Sequence, residues 1–258
     1  MLAFDAETTR LLETAYRGAE LTRRRQASFD ALDPQPGERI ADIGCGNGML
    51  TKELALAVGP QGRVVGIDPS DAMRAAAEKH CSDDRNVEFR AASAEALPLA
   101  DEAMDGAAAL QVFEYIPDVE PALAEAFRIL RPGGRLVIAD LHLGSFLWRS
   151  DDPSRMARMM EAWEAHFAGG DLPERLPGLI RDLGHEVLRV LPHTMVATVL
   201  KPDGLAMVML HLMRSFAVGE GLVATAEADA WFAEQEALSR EGRFFFSMTQ
   251  YVTLARKN

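Results

Sequence analysis

The sequence predicts an α/β fold built on a mostly parallel sheet. Two observations carry this reading. Between residues 38 and 140, short apolar runs of strand length alternate with single helix-length segments, the rhythm of right-handed β–α–β crossovers. A glycine cluster, Gly44-Cys45-Gly46-Asn47-Gly48, separates the first strand from the helix after it, and open α/β sheets bind ligands at such strand ends.

Residues 1–35 read as helical, with Leu11, Leu12, Ala15, Ala19 and Leu21 at roughly helical spacing. Pro34, Pro36 and Gly37 end that region. A strand follows at 39–43, a helix at 49–58 closed by Gly59-Pro60, a strand at 63–68, a helix at 71–81 and a strand at 87–91. The fourth strand, 105–111, is rich in alanine and so must pack closely. A helix at 121–130 is ended by Pro132-Gly133-Gly134, and a fifth strand covers 135–140. The rhythm then breaks. Residues 144–183 read as mostly helical, 186–192 as a strand, 204–218 and 226–241 as helices, and 244–254 as a closing strand. With no internal repeat or low-complexity linker, the chain reads as one domain over 1–258. Its parts are an N-terminal helical region (1–35), a core (36–140), and insertions with the final strands (141–258). The insertions are expected to cap the carboxyl edge of the sheet.

Composition narrows the function. The 258 residues carry a formal net charge of −12, which disfavours nonspecific attraction to nucleic acid or an anionic membrane. Cys45 and Cys81 are the two cysteines and form no CxxC pair, so a reducing cytoplasm is expected. No uncharged apolar run approaches the roughly 18 residues of a membrane span.

The glycine turn departs from the dinucleotide pattern G-x-G-x-x-G, because its third glycine comes one residue early and position 49 is Met. Asp68 ends the second strand, 20 residues after Gly48. A carboxylate there offers acceptors to both hydroxyls of a ribose; a strand-end aspartate can also cap the next turn. The spacing G-x-G-x-G preceded by Asp42 resembles motif I of class I S-adenosylmethionine-dependent methyltransferases. Pro36-Gly37-Glu38, Val65-Gly66-Ile67-Asp68-Pro69-Ser70, Met73, Ala94-Glu95-Ala96-Leu97-Pro98-Leu99, Met104-Asp105-Gly106 and Leu130-Arg131-Pro132-Gly133-Gly134 follow in order. Together they resemble the ubiquinone/menaquinone-biosynthesis-like, type 11 group over about residues 10–140.

The resemblance implies a Rossmann-like α/β fold: seven strands, mostly parallel, the last antiparallel beside the sixth, with helices on both faces. It implies S-adenosyl-L-methionine as cofactor. By the same likeness Gly44, Cys45 and Gly46 pass under the methionine and ribose, Asp68 takes the ribose, and Pro69 and Met73 flank the adenine. Ala94 and Glu95 read the adenine edge. Relatives place Asp before that Ala; here the position is Ser93, an uncharged acceptor. Gln111 lies near the methionyl group. Tyr16 and Arg25 match a Tyr and Arg that hold the methionine carboxylate in some relatives, a task suited to a forked guanidinium. Cys45 is read as a small packing residue.

On the acceptor side no catalytic residue follows from the family, because a general base is needed only when the acceptor carries a proton. His142, just past the fifth strand, is the candidate. Phe113, Trp148 and His166 are expected to wall an apolar pocket, under a lid formed by 144–170, 204–220 and the N-terminal helices. Trp163 and His166, three apart, share a helix face. No metal site is expected, and arsenite methylation, which uses several thiolates, is disfavoured by the cysteine count. The expected reaction is methyl transfer to a small apolar or aromatic acceptor. Two other readings stay open. A nicotinamide-dependent oxidoreductase would bind NAD rather than S-adenosylhomocysteine, and a non-catalytic binding protein would not turn over labelled cofactor.

Overall fold

The computed structural model describes residues 18–258. Among them lie strands β1 (Arg39–Ile43), β2 (Arg63–Ile67), β3 (Val87–Arg90), β4 (Met104–Leu110), β5 (Leu130–Trp148), β6 (Glu186–Ala197) and β7 (Phe246–Arg256). The helices are α1 (Ala19–Leu32), α2 (Met49–Val58), α3 (Asp71–His80), α4 (Val119–Arg128), α5 (Pro153–Glu164), α6 (Leu172–Asp182), α7 (Leu205–Gly219) and α8 (Thr225–Arg240), with one 3₁₀ turn at Phe113–Tyr115. The strands form one sheet in the order β3-β2-β1-β4-β5-β7-β6. Strands β1 to β5 pair in parallel. The last strand runs antiparallel to β5: Gly133 N donates to Lys257 O while Arg149 N donates to Phe245 O, so positions rise on one strand as they fall on the other. Strand β7 also opposes β6, with Arg256 beside Glu186 and Thr194 beside Thr249.

The chain groups into two compact units. The first holds residues 25–141, 171–193 and 250–258. Its strands are apolar on both faces, as buried parallel strands must be. Ala41, Ile43, Val65, Ile67, Ala107, Ala109, Leu136 and Ile138 pack on one side with Phe127 of α4 and Ile180 of α6. Ile40, Val64, Ala108 and Val137 pack on the other with Leu32 of α1 and Leu54 of α2. The alanines of β4 let its neighbours close in, as their number in that strand predicts.

The second unit holds residues 18–24, 142–170 and 194–249 among those described. It contains α5, α7 and α8, packed on one another, and the outer ends of β5, β6 and β7.

Strand β5 differs from the sequence expectation at both ends. It begins at Leu130, not 135, because Pro132-Gly133-Gly134 sits in a bulge: Met104 pairs with Leu130, but Gly106 pairs with Arg135. The two glycines are drawn into the ladder by Lys257, whose backbone exchanges bonds of 2.9 Å with Gly133 and Gly134. The strand then continues to Trp148, through residues expected to start a helix. Phe146 is buried and Leu147 exposed, a period-two pattern that favours strand.

Candidate active site

The glycine turn is built by its neighbours. Gly44 N and Cys45 N both donate to Ile67 O, at 2.7 and 3.0 Å, tying the turn to the end of β2. Gly44 has φ +67° and lies so close to Val112 that a Cβ would come within 2.3 Å of its methyl group; no other residue fits there. Gly46, at φ +53°, faces the other way, and a Cβ there would meet nothing within 4 Å. Its N–H donates to Asp68 Oδ2 at 3.0 Å. Ser70 N donates to Asp68 Oδ1 at 2.9 Å, and the Ser70 hydroxyl caps α3 through Met73 N. Both readings of Asp68 are therefore compatible in one side chain. It organises the turn, and each carboxylate oxygen keeps acceptor capacity for a further donor.

Beneath the turn, Asp42 is buried and accepts from the Thr51 hydroxyl at 2.6 Å. Burial outweighs that bond and pushes its pKa up to about 7. Burial also raises both thiols, Cys45 most strongly and Cys81 up to about 11. Cys45 is a packed thiol in an acidic neighbourhood, a poor setting for a nucleophile.

Pro69 and Met73 follow Asp68 on its exposed side. Ala94 is buried, while Ser93 and Glu95 are exposed on the loop after β3; Glu125 holds that loop by accepting from Leu97 N at 2.8 Å. Gln111 ends β4 in the left-handed region at φ 55° and donates its N–H to Ala139 O at 2.9 Å.

Sequence reasoning missed one feature here. Glu114 and Asp140 are fully buried carboxylates that reciprocally clamp the segment after β4 to the middle of β5. Leu141 N donates to Glu114 Oε2 at 2.7 Å, and Val112 N donates to Asp140 Oδ1 at 3.1 Å. Burial, and then the Glu114 charge, hold Asp140 well above the usual carboxylate range. The available signal was an acid set within each of two apolar runs.

Other expected residues are placed apart from this turn. Arg25 is buried and paired with Glu53 at 2.8 Å. Phe113 has no exposed surface and lies in the core with Ala94, Leu97 and Leu123, so its ring packs the first unit rather than walling a pocket. Tyr16 lies outside the described residues. In the second unit, His142 is half-buried, and its carbonyl accepts from the Ser145 hydroxyl at 2.7 Å. Trp148 lies against Trp231 and Phe246, with ring centres 5.5 and 4.6 Å away. His166 stacks on Trp163 at 4.7 Å although α5 has ended, and burial lowers its pKa.

An adenosyl sulfonium fits the turn. An acid with spare lone pairs stands beside open space over Gly46, and the exposed Met73 offers an apolar surface next to it.

Comparison with known proteins agrees. A family model described as a methyltransferase domain matches residues 41–138. An uncharacterized 37.1 kDa protein in a transposon of Streptomyces fradiae is 33% identical over 239 residues, which is 90% of this chain and 66% of that one. The demethylmenaquinone methyltransferase of Desulfitobacterium hafniense is 33% identical over 45% of this chain and 47% of its own length. The chain thus spans less than two thirds of either curated relative. A solved S-adenosylmethionine-dependent methyltransferase from Aquifex aeolicus has the same fold, with TM-score 0.56, 16% identity, and 96% and 99% of the two chains covered. No helix among the described residues is long and apolar enough to cross a membrane. Turn, acid, strand order and family model converge on a methyltransferase domain over residues 41–138, within a chain that shares the fold of the solved S-adenosylmethionine-dependent methyltransferase.

Proposed function

We propose that the chain transfers the methyl group of S-adenosylmethionine to a small, flat, apolar or aromatic acceptor. The observation that carries this is Asp68, fixed by two backbone N–H groups with its Oδ2 on Gly46 N, beside the open face of that glycine. When bound, the cofactor supplies an electrophilic methyl group on a sulfonium. In this reading Asp68 accepts from the ribose hydroxyls, and Gly44, Cys45 and Gly46 pass beneath. Pro69 and Met73 flank the adenine, Ser93, Ala94 and Glu95 meet its edge, and Gln111 borders the methionyl end. Arg25 exchanges Glu53 for the methionine carboxylate.

On the acceptor side, Trp148 and His166 supply apolar and aromatic surface, and His142 is the candidate proton acceptor. Transfer needs in-line positioning more than a covalent step by the protein. The matched relative that methylates demethylmenaquinone, by its name a ring compound, favours such an acceptor.

The test is calorimetric titration with S-adenosylhomocysteine and, in parallel, NAD. Binding of the former alone, in the micromolar range, is expected. Asp68→Ala removes charge-assisted bonds worth roughly 1.5–3 kcal/mol each and should weaken binding at least tenfold while the variant stays folded. Hydrogen exchange on the same samples should show protection of residues 42–113. Unchanged affinity in Asp68→Ala would overturn the ribose assignment, and absence of protection over 42–113 would overturn the cofactor site.

A further inference from the structure

Strand β1 sets one acid beneath the glycine turn, on the face of the sheet that meets α2. Ile40 packs there with Leu54, and Asp42, two residues on, points to the same side. Asp42 is buried and accepts from the Thr51 hydroxyl at 2.6 Å and from the Thr51 backbone N–H. Thr51 is the third residue of α2, whose N-cap Gly48 offers no side-chain cap. Asp42 thus serves the start of that helix from the strand before the turn. A helix N-terminus favours the carboxylate, and burial favours the neutral acid. Burial raises the Asp42 pKa most and the Thr51 hydroxyl opposes it. The charges of Asp68 after β2 and Glu53 on α2 add to the rise, leaving the group at about 7. Glu53 is itself paired with Arg25 of α1 at 2.8 Å. Burial keeps the nearby Cys45 and Cys81 thiols neutral. Within the sheet, Gly66 and Ala108 flank Asp42 and bring no charge.

A buried acid balanced between its two forms responds to charge brought to the turn above it. S-adenosylmethionine and its demethylated product differ by one unit of charge, a sulfonium against a neutral thioether. Attraction between charges in a buried setting is weakly screened, so the response needs no contact. We infer that Asp42 gives up its proton when the charged cofactor occupies the turn and keeps it when the neutral product does, so that the turn favours cofactor over product more strongly as the pH rises. This rests on the reading that the turn binds S-adenosylmethionine, and it adds a proton-linked choice between the two forms of the cofactor. The sign follows from linkage: a ligand whose binding expels a proton binds more tightly as protons become scarce. Well above neutrality Asp42 is ionised with either ligand, and the preference levels off.

S-adenosylmethionine and S-adenosylhomocysteine are titrated separately into the full chain by calorimetry at pH 7, in buffers of different ionisation enthalpy, which counts the protons released. The charged ligand should release the larger number, by up to about half a proton, since a group at its pKa is half protonated. The ratio of the two affinities should rise severalfold from pH 6 to pH 8. Asp42→Asn stays neutral and keeps an acceptor for the Thr51 hydroxyl, so it should bind both ligands and lose the excess release. The ligands' own amino groups titrate alike in both proteins, and the part lost in the variant is the quantity read. Thr51→Val deletes the hydroxyl that favours the carboxylate and should move the rise of the ratio to higher pH.

Equal proton release by the two ligands, or an excess that persists in Asp42→Asn, would overturn the proposal. If Asp42→Asn does not fold, Thr51→Val decides, and a pH profile that it leaves in place overturns the proposal. Failure of S-adenosylhomocysteine to bind the natural protein would instead defeat the cofactor reading, a result distinct from equal proton counts with both ligands bound.

Discussion

Asp42 shows how far one residue can be read from its neighbours. Its place before the glycine turn is visible in the sequence; its protonation is not. Folding takes it from an ordinary 3.8 to about 7, mainly by burial. A carboxyl whose pKa rises on folding contributes its stability below its unfolded pKa, and loses it as the pH climbs through the folded value. Over about 3 units this is at most on the order of 4 kcal/mol. Thermal melts should therefore show the melting temperature falling between pH 5 and pH 8. Asp42→Asn, which keeps an acceptor for the Thr51 hydroxyl, should flatten part of that slope. Asp140 is shifted in the same direction, so some slope should remain. An Asn variant with the parent's full slope would show that Asp42 is not its source. The same limit applies to Arg25, whose suitability for a carboxylate was legible but whose pairing with Glu53 was not. That ion pair joins residues 28 positions apart.

Between β4 and β5 the reciprocal clamp makes a prediction of its own. Glu114→Ala leaves the Leu141 N–H buried without its acceptor, at a cost of about 1–3 kcal/mol. Amide exchange at Leu141 should accelerate accordingly, whereas Glu114→Gln, which keeps a side-chain oxygen, should exchange much more slowly than the alanine variant. Equal protection in both variants would remove the clamp from the account. Elements with strong local signals were legible in sequence: β1 to β4, α2 and α3 fall within a residue or two of expectation, because their periodicity, glycine stops and caps agree. Strand β5 was not, since Pro132-Gly133-Gly134 has the local chemistry of a terminator. Its strand character comes from Lys257, 124 residues after Gly133 by chain number (257 − 133). A pairing so distant leaves no trace in a short window. Phe113 fails similarly: a strand-exit aromatic suits a pocket wall, and only the packed fold shows it enclosed.

Across the whole molecule, the matched family segment is not a self-sufficient piece. It ends at residue 138, inside β5, with β7 still to come as that strand's neighbour. A fragment of residues 25–141 would keep five strands and leave one side of β5 unpaired along Leu136, Val137 and Ile138. A long apolar edge of that kind templates association. The fragment should elute as aggregate in size-exclusion chromatography, while the full chain should not; a monomeric, folded fragment would refute this. The order of the last two strands was legible only through the family resemblance, because strong strand signals near the end of a chain do not say where they insert.

The two cysteines bracket the glycine turn. Cys45 lies within it, and the Cys81 thiol donates to Gly48 O at 3.6 Å. Both are buried and free, with thiols that ionise late. An alkylating reagent can reach them only when the turn opens. The chain thus carries an intrinsic stopwatch: its alkylation half-life counts excursions of the turn, and any ligand that holds the turn shut slows the clock with no label introduced.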